Sequence, residues 1–216
     1  MRKRTNMHKL HSAFRLVTGL ALLVAIGWQI VDRVANDVFR PAEYFSYVTI
    51  QSSILAGVVF VVGAVRMWNW QKDSMVFSVA RLSVTGFAVI VGVVYNLMLR
   101  DVAPNPLDAN YEWPVIPNEI LHVWGPILIV IDWFWSRRFV RMPASALKWI
   151  FVYPVLWISF TVVRGYVDGW WPYPFLDPNE PAGVIGMLIY LAVILVFFSV
   201  VSIAFWFTRS DKSRRF

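Results

Sequence analysis

The chain has no cysteine, only three histidines and few charged residues for its length. The absence of cysteine excludes disulfides, thiolate metal ligands and thiol nucleophiles. Charged residues make up 15% of the 216 residues, whereas a soluble domain of this size normally has about a quarter. Hydrophobic residues make up 58%, and the mean hydropathy is +0.58. This balance is typical of a protein that folds in lipid.

Several marks of soluble function classes are also missing. The chain has no internal repeat, no low-complexity tract, no glycine-rich phosphate loop and no polar stretch long enough for a soluble domain. Its net charge of +7 comes from short basic segments between apolar runs, which suit anionic lipid headgroups and not nucleic acid. A b-type haem would need more than one histidine at membrane depth. We therefore expect no nucleic-acid partner, no cofactor and no metal ion.

Six apolar runs are each long enough to cross the hydrocarbon core of a bilayer as a helix. The first follows the basic start "MRKRTNMHK" and is too long for an ordinary signal peptide, so we interpret it as an uncleaved helix. The sequence thus predicts an all-α integral membrane protein with a single domain, a bundle of six transmembrane helices. The predicted spans lie near 13–35, 45–65, 76–99, 119–136, 148–166 and 182–207.

Basic residues are distributed unevenly between the two sides of this bundle. Most of the 20 Lys and Arg fall at the termini and in the connections that follow the second and fourth spans. The opposite side has only Arg33, Arg40, Arg100 and Arg164. Because cytoplasmic loops carry the excess of Lys and Arg, both termini are predicted to lie in the cytoplasm. The long connections 100–118 and 167–183, rich in proline and aromatic residues, would then cover the outer end of the bundle.

One histidine, His122, falls inside a predicted span and has polar neighbours. On a helix, Asn118 and Glu119 share its face, and Pro126 has no amide hydrogen for the His122 carbonyl. Asn118 follows Pro117 and resembles a helix cap, which would put His122 in the first turns, where the helix dipole disfavours an imidazolium. A neutral imidazole is what a general base requires. The alternative is a structural histidine that is hydrogen-bonded across helices.

A second polar face opens the second span from the same outer side. Thr49, Ser52 and Ser53 share one face of the helix at i, i+3 and i+4. Thr49 lies about 7 Å in from the predicted membrane edge, at 1.5 Å per residue, and His122 lies at about the same depth. Equal depth permits contact between them. The alternative for Thr49 is a hydroxyl bonded to a carbonyl one turn back, which is common in membrane helices.

At these residues the sequence resembles the androgen-induced protein family of six-helix membrane hydrolases, in its prokaryotic branch. The resemblance rests on "YVT" with the polar helix face at 47–53, on Asn118 and His122 in an N-x-x-x-H pattern with Pro126 after it, and on "WPYPFLD" at 171–177. Animal members cleave fatty acid esters of hydroxy fatty acids with a threonine nucleophile and a histidine.

What the resemblance implies is a lipid ester hydrolase in which Thr49 is the nucleophile and His122 the general base. It also implies a bacterial cytoplasmic membrane as the location and a lipid ester as the substrate, with membrane lipids as the surrounding partners. Glu119 stands where animal relatives often have a second histidine, so the range of ester substrates stays open.

Five further residues are candidates for supporting this chemistry. Asn96 and Asn118 could donate hydrogen bonds to a developing oxyanion, and Arg164 could pair with a fatty acid carboxylate. Glu119 could orient His122 or gate the outer mouth, and Ser52 belongs to the polar face of Thr49. The alternative for Asn96, Asn118 and Arg164 is interhelical hydrogen bonding or snorkelling to the interface, and for Glu119 it is a favourable position at a helix start.

Asp132 lies in the same predicted helix as His122 but about 15 Å further along its axis. That distance is too long for a carboxylate that orients the imidazole. We therefore interpret Asp132 as part of an ion pair at the inner end, with Arg137, Arg138 or Arg81.

Other classes of membrane protein fit less well. A transporter or channel would line a polar path through the whole bilayer, and the middles of the third, fifth and sixth spans have few polar residues. The chain has no Gly-x-Ser-x-Gly turn for a serine nucleophile. The main alternative is a non-catalytic protein that binds lipid or acts as a membrane scaffold. The oligomeric state is not determined by these patterns.

Overall fold

The computed structural model describes residues 2–100, 111–136 and 140–209, with residues 2–5 as backbone only. Six long helices run through this part of the chain, and it has no strand. All six are long and apolar enough to cross a membrane, which confirms the prediction of six apolar helices. The helices are α1 (Arg2–Ala35), α2 (Val48–Trp68), α3 (Met75–Leu99), α4 (Val115–Trp135), α5 (Ala144–Asp168) and α6 (Gly183–Phe207).

Three of these helices are irregular along their length. The last turn of α3 is a π-helix, Tyr95–Leu99, and α4 contains a second π-helix, Ile120–Trp124, after a short α-helical start. The first turns of α5, Ala144–Phe151, form a 3-10 helix. π-helical turns inside α-helices are rare and occur frequently at functional sites.

Local sequence signals set several of the helix ends. The Ser74 hydroxyl accepts a hydrogen bond from the Phe77 amide at 3.2 Å and caps the start of α3. Gly169, with φ +70°, ends α5 in the left-handed conformation that glycine adopts without strain. Pro114 precedes α4, which begins at Val115 and so earlier than the predicted position 119. Asn118 therefore lies inside the first turn, and its prediction as a helix cap is wrong.

The connections between the helices collect at two ends of the bundle. We call one the mouth end; it consists of residues 36–47, 111–114 and 169–182, with a short helix at Pro41–Tyr44. The other is the termini end, with residues 69–74 and 140–143 and the described parts of both termini. Apolar side chains fill the space between the two ends. One core joins α1, α2, α3 and α4, and another joins α3, α4, α5 and α6.

A buried ionic cluster lies near the termini end. The Asp132 carboxylate of α4 accepts hydrogen bonds from Arg15 at 2.7 Å and from Arg81 at 2.9 Å, and His11 Nε2 lies 2.6 Å from it. The predicted pairing of Asp132 with Arg81 is confirmed, whereas Arg137 and Arg138 are outside the described residues. His11 is buried in this cluster and not simply part of the basic amino-terminal segment.

Candidate functional site

A cavity of about 610 Å³ opens at the mouth end. Polar side chains of four helices line it: Gln29 from α1, Thr49 from α2, Tyr95 from α3, and Asn118 and His122 from α4. The rest of its wall comes mainly from the segments that connect the helices at this end. These segments contribute aromatic and acidic residues, namely Glu112, Trp113, Trp170, Trp171, Tyr173, Asp177 and Glu180.

Thr49 is the second residue of α2 and is buried. The Tyr173 hydroxyl interacts with the Thr49 side chain and with the main chain of Val48 and Thr49. The first turn of a helix has amide N–H groups without helical acceptors. This explains why the polar Tyr173 hydroxyl lies at the start of α2. Burial raises the pKa of Tyr173, so its hydroxyl stays protonated at neutral pH. The packing of Tyr173 therefore holds the Thr49 side chain at the cavity wall.

His122 lies in the π-helical turn of α4 and is fixed by three contacts. Its Nδ1 lies 2.9 Å from the Asn118 carbonyl oxygen, and its ring stacks on Tyr95 with centroids 3.9 Å apart. The His122 carbonyl, which Pro126 cannot satisfy, accepts a hydrogen bond from Asn96 Nδ2 at 3.3 Å. Because a carbonyl only accepts, Nδ1 carries the proton and Nε2 has a free lone pair in the neutral ring. This tautomer is the one that a general base at Nε2 requires.

Thr49 and His122 face the same cavity from different helices. Among the described residues, no hydrogen bond joins the two side chains. Tyr95 lies beside both, because it stacks on His122 and lines the cavity together with Thr49. A ligand large enough to fill the cavity would therefore border both side chains.

A second pocket also borders Thr49 and has a volume of about 80 Å³. Its wall comes from α2, α3, α5 and α6 and is apolar apart from Thr49, Tyr95 and Tyr173 and the edge of Trp157. Thr49 thus lines both spaces, the polar cavity and the apolar pocket. An amphipathic molecule could extend its apolar chain on one side of Thr49 and its polar part on the other.

The predicted supporting residues on α3 and α4 surround His122. The Asn118 side chain donates to the Tyr95 hydroxyl at 2.6 Å. The side-chain amide of Asn96 donates hydrogen bonds to the main-chain carbonyls of Gly92 and His122. Glu119 pairs with Arg100 at 2.8 Å, and Arg100 also donates to the Asn96 side chain. These bonds tie the π-helical turns of α3 and α4 together.

The other two predicted supporting residues lie further from the imidazole. Arg164 donates to the hydroxyl of Ser46 and to the Ala42 carbonyl, and its guanidinium lies over the Trp170 ring. It therefore joins α5 to the mouth end. The Ser52 hydroxyl donates to the Thr49 carbonyl at 3.3 Å and points toward a small apolar space next to Leu22. Neither Arg164 nor Ser52 lines the cavity that contains His122.

Three residues of the site do not stand out as functional in the sequence. Gln29 is the only amide side chain in the last turns of the first span, which is a usable signal. Tyr95 precedes Asn96 in "VYNLMLR", but its stacking on His122 depends on a π-helical turn that no sequence pattern encodes. Tyr173 is in "WPYPFLD", and its approach to Thr49 depends on the fold of the whole 169–182 segment.

The described residues contain no group of three His, Asp or Glu side chains that could hold a metal ion. Fold and site together define a helical integral membrane protein with a polar, aromatic-walled cavity at one end. No protein-family model, no curated protein and no solved structure matches the chain.

Proposed function

We propose that the protein is an intramembrane lipid ester hydrolase with Thr49 as nucleophile and His122 as general base. The observation that carries this proposal is the position of Thr49 between an apolar pocket and the cavity that contains His122. The first methylene groups of an acyl chain would lie in the apolar pocket, and the ester group would then lie at the Thr49 hydroxyl. The resemblance in "YVT" and in the N-x-x-x-H pattern supports the same pair of residues.

The first half of the reaction transfers the acyl group to Thr49. A threonine hydroxyl is too weakly acidic to attack an ester at neutral pH without a base. His122 Nε2 takes the proton as Thr49 Oγ1 attacks the carbonyl carbon. The bond from this carbon to the alcohol oxygen breaks, and the alcohol leaves with the proton from His122. Hydrogen bonds between nucleophile and base are often long before substrate binds, which agrees with two groups that share a cavity without direct contact.

The second half of the reaction hydrolyses the acyl-threonine. Water enters through the cavity, and His122 takes one of its protons as the water oxygen attacks the carbonyl carbon. The bond to Thr49 Oγ1 breaks, the fatty acid is released, and the proton on His122 returns to Thr49. The tautomer fixed by the Asn118 carbonyl supplies the free Nε2 that both halves need.

We further propose that the mouth end faces the outside of a bacterial cytoplasmic membrane and that both termini lie inside. The basic residues between the apolar runs favour this direction. Ester substrates would then enter laterally from the outer leaflet, and the more polar products would leave through the cavity.

A hydroxyl-reactive fluorophosphonate probe tests this function on the purified full-length protein. We expect labelling of the wild type at Thr49, and loss of both labelling and ester hydrolysis in Thr49→Ala. His122→Ala should lower the labelling rate by about 10² to 10⁴, the usual contribution of a general base. Thr161→Ala is the matched control, because this buried hydroxyl has no hydrogen-bond partner among the described residues and lies away from the cavity.

The alternative is a non-catalytic lipid-binding or scaffold protein. One observation favours it: the ring of His122 already has a hydrogen bond and a stacking partner, and among the described residues it has no hydrogen bond to Thr49. Under this alternative the probe does not label the folded wild type, and lipid copurifies with it. Labelling that persists in Thr49→Ala would instead identify another nucleophile.

A further inference from the structure

The apolar pocket beside Thr49 ends at a layer of aromatic rings. Phe87 of α3 and Phe198 of α6 line the pocket, and on each of these two helices they are the lining residue nearest the termini end. Their ring centroids are 4.9 Å apart, and both side chains are buried. The Tyr153 ring of α5 packs edge-on against Phe87, with centroids also 4.9 Å apart. These rings form the floor of the pocket.

The helices α3 and α6 approach each other closely just beyond this floor. A Cβ atom added to Gly86, the residue before Phe87, would lie 2.7 Å from Ser202 Oγ and 2.9 Å from the Phe198 ring. Ser202 follows Phe198 by one helical turn, and none of its surface is exposed. A glycine permits such an approach of two membrane helices. The close contact leaves no space for a bound chain to continue between α3 and α6 past the floor.

The volume of the pocket limits the length of chain that it can hold. A cavity of about 150 Å³ holds one benzene molecule, which has six carbon atoms. The pocket has about 80 Å³, so it holds roughly three carbon atoms. Protein interiors are close-packed, and a longer chain would have to displace the side chains around it. The walls above the floor suit an alkyl chain, because they consist of aliphatic side chains, among them Ile90, Val91, Val94, Leu191 and Ile194.

The cavity at the mouth end is much larger, with about 610 Å³, which is a usual size for a ligand site. The pocket and the cavity meet at four residues that line both, namely Thr49, Tyr95, Leu99 and Tyr173. An ester with its carbonyl carbon at Thr49 would therefore have its smaller part in the pocket and its larger part in the cavity. In the proposed reaction the acyl chain stays on Thr49 while the alcohol leaves through the cavity.

We propose that the substrate is an ester of a short acyl chain with a bulkier alcohol, and that Phe87 and Phe198 set the limit of chain length. The acyl chain has about four carbon atoms, the carbonyl carbon at Thr49 and roughly three in the pocket. This assignment rests on the proposed function, because the hydrolase places the ester at Thr49. An acyl chain of twice this length would have to displace the rings of the floor.

Hydrolysis of two matched esters tests the limit of chain length. The esters p-nitrophenyl butanoate and p-nitrophenyl octanoate have the same leaving group and differ only in the acyl chain. We expect the purified full-length protein in detergent to show a kcat/KM about tenfold or more higher for butanoate, the factor that overpacking typically produces. Phe198→Ala removes part of the floor and should bring the ratio of the two values to about one. The ratio does not depend on the fraction of folded protein.

Phe60→Ala is the matched control, because Phe60 is equally buried but belongs to the other core and lines neither the pocket nor the cavity. It should leave the ratio unchanged. Phe198→Leu is a smaller change that serves if Phe198→Ala does not fold, and it should shift the ratio in the same direction by a smaller factor. A wild type that hydrolyses octanoate as well as butanoate, or a ratio that neither Phe198 variant changes, would overturn the proposal.

Binding of two ketones separates the pocket from the chemistry. The ketones 2-pentanone and 2-nonanone carry the acyl groups of the two esters but cannot be hydrolysed. A ligand that binds the folded state raises the unfolding temperature. We expect 2-pentanone to raise that of the wild type more than 2-nonanone does, and Phe198→Ala to reverse this order at the same concentrations in the same detergent. If the wild type hydrolyses neither ester but shows this order and its reversal, the short-chain pocket stands and only the hydrolase fails. An order that Phe198→Ala leaves unchanged would overturn the pocket assignment.

Discussion

At the scale of single residues, the site depends on how His122 is held. Its orientation comes from a main-chain carbonyl and an aromatic face, that is, from Asn118 and Tyr95. Carboxylates often orient a catalytic histidine, but here Glu119 is paired with Arg100 and Asp132 belongs to another cluster. The imidazole is therefore held in one tautomer by an uncharged carbonyl and an aromatic ring.

Tyr95 supplies the face on which the imidazole stacks, so its ring and its hydroxyl should have separate effects. Tyr95→Leu removes the ring and should lower kcat/KM for ester hydrolysis about tenfold, since an aromatic pair of this kind contributes roughly 0.5–1.5 kcal/mol beyond its buried area. Tyr95→Phe keeps the ring and removes only the acceptor of the Asn118 side chain. It should stay within about threefold of the wild type. Equal losses in the two variants would contradict stacking as the main contact.

At the scale of the helices, close backbone contacts decide where the polar side chains meet. A Cβ atom added to Gly19 of α1 would lie 2.8 Å from the Gly57 carbonyl oxygen of α2, and one added to Gly57 would lie 2.7 Å from Leu23. Glycine is the residue that permits such an approach of two membrane helices. This contact brings Gln29 and Thr49, on the same two helices, to one cavity.

Gly19→Ala should therefore force α1 and α2 apart. We expect it to destabilise the protein by about 1–3 kcal/mol, as overpacking normally does, and to slow ester hydrolysis at the mouth end. Gly27→Ala is the matched control on the same helix, because an added Cβ there has no neighbour within 4 Å. It should be neutral or slightly stabilising, since alanine favours helix more than glycine does. Thermal unfolding in detergent measures both variants, and equal unfolding temperatures would contradict the close contact.

At the scale of the whole molecule, one buried carboxylate holds three helices at the termini end. Asp132 of α4 bonds Arg15 of α1 and Arg81 of α3. Arg15 also donates to Ser136, and Arg81 lies 3.5 Å from Asp73 before α3. A charge at membrane depth is costly unless it is paired. The cluster therefore fixes the packing of these helices at the end of the bundle opposite the candidate site.

Asp132→Asn should be strongly destabilising because it leaves two buried guanidinium groups without their shared carboxylate. Loss of one partner of a buried ion pair typically costs about 3–5 kcal/mol. Asp168→Asn is the control: its side chain is 52% exposed and pairs with Arg164 four residues earlier, so about 1 kcal/mol or less is expected. Unfolding in detergent measures the difference. A mild effect of Asp132→Asn would mean that water reaches the cluster.

The orientation of the molecule can be tested cleanly because the chain has no cysteine of its own. Ala182→Cys introduces one exposed thiol at the mouth end, and Gln71→Cys introduces one at the termini end. In intact bacterial cells, a membrane-impermeant maleimide should label Ala182→Cys and not Gln71→Cys; after lysis it should label both. The reverse pattern would place the termini outside and reverse the proposed direction of substrate entry.

The sequence by itself determined the six apolar helices, because length and hydropathy are local properties of each segment. It also indicated that Asp132 pairs with an arginine at the inner end, because a charge at membrane depth must find a partner, and Arg81 is the one of the three candidates that the structure shows there. The proline at 126 likewise indicated that the His122 carbonyl needs a donor from elsewhere, and Asn96 is that donor.

Only the tertiary structure decided which polar groups share a cavity. The stacking of Tyr95 on His122 depends on two π-helical turns in adjacent helices, and the place of Gln29 depends on the close approach of α1 and α2. Tyr173 reaches Thr49 through a connecting segment far along the chain. The spacing of side chains along the sequence shows which residues share a face of one helix, but it treats each helix separately. Which faces meet, and at what depth, is fixed by the packing of all six helices together.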